Sequence, residues 1–208
     1  MPLTTEPVPF ALDGLTETIR RASSQLPELR GIAGDLRLVG PFRCFVGDPA
    51  VFAAGATRRG LQEAGWRGLL TGGDNPLALV EIHPPSRRGD DRPAYGLRGR
   101  EPAQAFAAVL EAAQAYDERT PGPSEVRFLS FPSLFLTALW VTGRRAAYIP
   151  TRLDAGPRPD PQVYTRKAFV GLVARRLSKM AGRRLAGFDA GDEPSNAVGA
   201  LIRQPQTA

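Results

Sequence analysis

The chain has 208 residues, 42% hydrophobic and 23% charged, with a formal net charge of +6. That length can bury a core without disulfides or metals, and the one cysteine, Cys44, excludes an intrachain disulfide. The opening residues MPLTTEPVPFALDG have neither a basic start nor an apolar h-region, so the expected compartment is the cytoplasm.

The charge is unevenly placed. Residues 158–184 hold eight basic residues against one acidic residue, Asp160, and the rest of the chain is close to neutral. Arginine dominates, with Lys167 and Lys179 the only lysines.

In chain order, Asp13 to Leu26 places Leu15, Ile19, Ala22 and Leu26 at helical spacing, and Pro27 stops the pattern. Leu36 to Val39 and Phe42 to Val46 read as short strands parted by a Gly40-Pro41 turn. Asp48-Pro49 offers a cap and a first-turn proline, so a helix is expected from Pro49 to about Ala64, ending at Gly65. Trp66 to Leu70 and Leu77 to His83 form a hairpin pattern around Gly72-Gly73-Asp74-Asn75. Residues 84–93, PPSRRGDDRP, read as an exposed loop, followed by a short strand at Ala94 to Leu97. A helix from near Pro102 to Glu118 carries an apolar stripe of Phe106, Val109, Leu110 and Ala113.

The core belongs to Glu125 to Thr151. Between Phe128 and Val141 only Ser130, Ser133 and Thr137 are polar, as in a central strand covered on both faces. Pro132 marks a break, after which Ser133 to Val141 resumes as a strand, with Ala146 to Ile149 returning as its partner and Pro150 closing it. A short helix capped by Ser130 is the competing reading, and the apolar run falls short of the ~18 to 20 residues a membrane span needs. A helix from about Pro161 to Ala181 then places Arg175, Arg176, Lys179 and Arg183 on one arc and Phe169, Val173, Leu177 and Met180 on the adjacent one.

Few residues suggest chemistry. Cys44 and His83 are each unique and would form the minimum thiolate-imidazole pair, but Cys44 sits inside the apolar run Phe42 to Val46, where a structural cysteine is the expected outcome. Glu81 and His83 share a strand face and supply two metal ligands, which do not make a site. Asp189, Asp192 and Glu193 miss calcium-loop spacing, and neither glycine cluster is a phosphate-binding motif.

The expected fold is α+β, with several short, mostly antiparallel strands and about four helices, and an α/β layered sheet as the alternative. Residues 1–157 form the globular domain, 158–184 a basic amphipathic helix packed on it, and 185–208 a mobile tail. The functional expectation is a non-catalytic, soluble interaction or assembly protein with no cofactor, metal or membrane. Its basic arc, Arg175, Arg176, Lys179 and Arg183, reads first as a solvated face on a helix docked by its apolar stripe, and next as the contact for an anionic partner, a protein and acidic, or nucleic acid. The alternatives are a nucleic-acid-binding protein using the same helix and an uncharacterised hydrolase or transferase using Cys44 or scattered carboxylates.

Overall fold

The structure, a computed structural model, describes residues 14–22, 36–55, 59–85, 93–151 and 161–188. Eight strands form one sheet: β1 (Leu36–Gly47), β2 (Leu61–Gly72), β3 (Asn75–His83), β4 (Ala94–Arg98), β5 (Val126–Phe131), β6 (Leu136–Val141), β7 (Ala147–Thr151) and β8 (Tyr164–Thr165). Their order is β4-β3-β2-β1-β5-β6-β7-β8. Each neighbouring pair is antiparallel except β1 and β5, which run parallel with Cys44 opposite Phe128 and Val46 opposite Ser130. Helices α1 (Leu15–Ala22), α2 (Pro49–Ala53), α3 (Arg100–Glu118) and α4 (Arg166–Phe188) complete an α+β fold around this mixed sheet.

The alternation of strand side chains divides the core between the two faces. On one face α3 lays Ala103, Phe106, Val109 and Ala113 across Phe42, Leu69, Leu79, Val126, Phe128, Val141 and Ile149. On the other, Leu15 and Ile19 of α1 cover Trp66, Leu70, Val80 and Ile82 at the β2–β4 end. At the opposite end Phe52 of α2 and Phe169 and Val173 of α4 cover Leu129, Phe131, Leu136, Ala138 and Tyr148. The stretch expected to be central is indeed covered on both faces, with Leu129, Phe131 and Leu139 all fully buried.

Several local expectations change. Leu36 to Gly47 is one strand, because Gly40 takes φ +97 and the expected turn is absorbed as a register shift between Val39 and Phe42. Asp48 does cap α2, its carboxylate accepting from the amides of Ala50 and Val51 at 2.8 and 3.2 Å. The helix ends at Ala53, not near Ala64, since Gln62 and Glu63 pair with Val46 and Phe45 instead. Pairing to an existing strand outweighs the helix preference of that alanine-rich segment.

Pro150 lies within β7, opposite Ala138 of β6 and beyond the last residue that pairs with β8, near the strand end where proline is tolerated. α4 begins at Arg166, with Tyr164–Thr165 before it forming an edge strand. Asp13, Leu26, Pro27, most of the 84–93 loop, Asp189, Asp192 and Glu193 lie outside the described residues, as does the expected tail from residue 189 onward.

Candidate interaction surface

The structure does not bring Cys44 and His83 together. Cys44 is opposite Gly65 on β2, while His83 ends β3 on the far side of that strand, about 10 Å away at two strand spacings. The thiol is 7% exposed beneath α3, and Sγ contacts the Phe42 carbonyl at 3.6 Å. Burial pushes it up to about 12, with the Arg67 guanidinium opposing that shift and Glu81 reinforcing it. A thiol held neutral and covered makes a poor nucleophile.

A consequence is measurable. Iodoacetamide at pH 8 should label Cys44 in the native protein on the order of a thousandfold more slowly than in urea, and equal rates would show that the thiol is open. The sign for stability follows. Because the folded chain holds its proton longer, the unfolded chain ionises first, and stability falls as pH rises from about 8.5 toward 12.

Glu81, the other half of the expected two-ligand pair, is engaged by cations. It meets Arg67 at 2.8 Å and Arg98 at 3.0 Å, and Arg67 lies 4.3 Å over the Phe128 ring. Among the described residues no three His, Cys, Asp or Glu side chains gather where a metal could bind. On the opposite face Arg127 is held by both oxygens of Glu125 at 3.0 and 2.8 Å, with its guanidinium 5.5 Å from the rings of Phe45 and Trp140. Glu81 is thus taken up by two arginines and Glu125 by one, within the fold.

The α4 surface differs. Phe169 and Val173 are buried, and Leu177 and Met180 are packed partly against the same core. Arg175 and Lys179 are exposed, four residues apart on the outer side. Like charges at that spacing repel, by a few tenths of a kcal/mol. Arg176 stands apart from them. It lies seven residues beyond Phe169, within about 20° of its direction, so it faces the body, donating through one guanidinium nitrogen to the carbonyls of Leu134 and Phe135 at 3.3 and 3.4 Å. The backbone of Arg183 continues the helix, and its side chain lies outside the described residues.

That bond reaches the feature sequence reasoning missed. After β5, Pro132–Leu134 makes a 3-10 turn, and Phe135 follows it at φ 48, ψ 40 in the left-handed region. The turn buries Leu134 and Leu136 and throws the ring between them outward, leaving Phe135 71% exposed. Among the described residues Phe135 is the most exposed large hydrophobic and the only one outside glycine with positive φ. A bulky residue there costs ~1–2 kcal/mol, a strain that points to function when it coincides with exposure. The only sequence signal was Pro132-Ser133, which can open such a turn. Phe135 is thus exposed at the turn whose carbonyls Arg176 of α4 binds, and Arg175 and Lys179 are exposed on the same helix.

No helix among the described residues is long and apolar enough to cross a membrane. Comparisons with protein-family models, with curated proteins and with solved structures found no match.

Proposed function

We propose that this protein is a non-catalytic interaction or assembly module, acting in the cytoplasm, whose contact surface is Phe135 together with the outer side of α4. The observation that carries this reading is an aromatic ring 71% exposed at a left-handed backbone position. Neither folding nor solubility favours that combination, whereas an apolar ring that inserts into a partner is a usual source of binding energy. Arg175 and Lys179 add charge that steers an anionic partner. The burial of the Cys44 thiol leaves the hydrolase or transferase alternative to rest on scattered carboxylates.

The test separates binding from folding. Phe135→Gly suits φ 48 and loses little buried area, so stability should stay level or rise by up to about 1 kcal/mol. The same variant should lose the proteins that co-purify with the wild-type chain from its native cells. Unchanged co-purification, or a variant that melts several degrees lower, would place the contact elsewhere and make Phe135 a structural residue. The nucleic-acid alternative rests on the same cations, and a salt titration on labelled DNA and RNA tests it, since phosphate contacts give steep salt dependence.

A further inference from the structure

Building on the interaction reading above, we propose that the partner is a protein presenting an apolar pocket rimmed by carboxylates. Phe135 would fill the pocket, and Arg175 and Lys179 would meet the rim. The division of labour follows from the geometry. Phe135 protrudes, so this chain supplies the knob and the partner the hole. Arg176 is already turned to the carbonyls of Leu134 and Phe135, so it fixes the knob in place, leaving Arg175 and Lys179 to face outward. The two outward cations are neighbours on one helical row, and bringing acidic groups against them removes their mutual repulsion.

Other occupants fit less well. A single-stranded nucleic acid is gripped by successive aromatic platforms, whereas the other large hydrophobics exposed among the described residues, Val39 and Val163, have no ring to stack. In a two-fold dimer centred on this surface each copy would bring its own Arg175 and Lys179, gathering four positive charges at the contact. An acidic protein surface meets neither objection.

The experiment places a photoreactive phenylalanine analogue at position 135 of the full chain in its native cells, with the same analogue at Ala115, exposed on α3, as control. Position 135 should cross-link a protein whose captured peptide combines apolar residues with Asp and Glu. The yield should fall about tenfold or more when Arg175→Glu and Lys179→Glu are introduced together, the scale expected for removing paired charges. If the peptide lacks acidic residues, or the yield ignores the double reversal, the acidic-pocket proposal is overturned while the interaction reading stands. Adducts to nucleic acid or to this chain itself overturn it equally. If position 135 captures no more than position 115, the interaction reading falls with it.

Discussion

Replacing Phe169 by alanine should lower stability by about 3 to 5 kcal/mol, the cost of a large cavity in a packed core. Phe169 is fully buried and joins more elements than its place on one helix suggests. Its ring stacks on Tyr148 of β7 at 4.6 Å and 4°, meets Phe52 of α2 edge-on at 5.8 Å, and lies 6.4 and 6.5 Å from Phe131 and Tyr164. Aromatic pairs in these arrangements each contribute about 0.5 to 1.5 kcal/mol beyond buried area. The deletion should therefore loosen α2 and α4 together. Urea melts would show a lower midpoint, and amide exchange would rise along both helices. A midpoint and slope equal to wild type would mean that α4 is not docked by this ring.

The second large effect belongs to Gly65→Ala. Gly65 sits opposite Cys44 where the β1–β2 register slips, with φ +112, and a methyl group built on it would stand 2.3 Å from the Ile82 carbonyl oxygen. Strain and collision act together there. The obstacle is the backbone of a neighbouring strand, which cannot rotate aside, so β2 and β3 must shift apart at a cost of about 3 kcal/mol or more. Gly55→Ala is the natural control. Gly55 also has positive φ, at +88, but nothing lies within 4 Å of an added methyl, so only strain remains, about 1 kcal/mol. Equal losses in the two variants would show that the close approach to Ile82 carries no weight.

What could be read from the sequence was whatever local pattern and tertiary pairing agreed on. The Trp66–His83 hairpin, α3 with its Phe106, Val109 and Ala113 stripe, and the doubly covered segment around Phe128 and Leu139 all satisfy both. Where they conflict, pairing prevails. Gln62 and Glu63 belong to a helix by propensity and to β2 by their partners Val46 and Phe45. The basic row on α4 was visible as periodicity, but the inward turn of Arg176 depended on carbonyls forty residues earlier in the chain. Phe135 was hidden for another reason. Its neighbours Leu134, Leu136 and Leu139 are core residues, and an apolar run does not announce that one member takes a left-handed backbone and points the other way.

The lone parallel pairing has a kinetic meaning. β1 to β4 and β5 to β8 are two meanders whose internal contacts are local, and the direct ladder between them is only the pairing of Cys44, Phe45 and Val46 with Phe128, Leu129 and Ser130. Local hairpins close in microseconds, whereas a distant seam waits on the entropy of closing a long loop. Each meander can therefore gather its own strands early, and α3 spans both halves once they meet, with Phe106 touching the rings of Phe42 and Phe128 on either side of the seam. During synthesis the first meander must wait with its β1 edge unsatisfied until the second has left the ribosome.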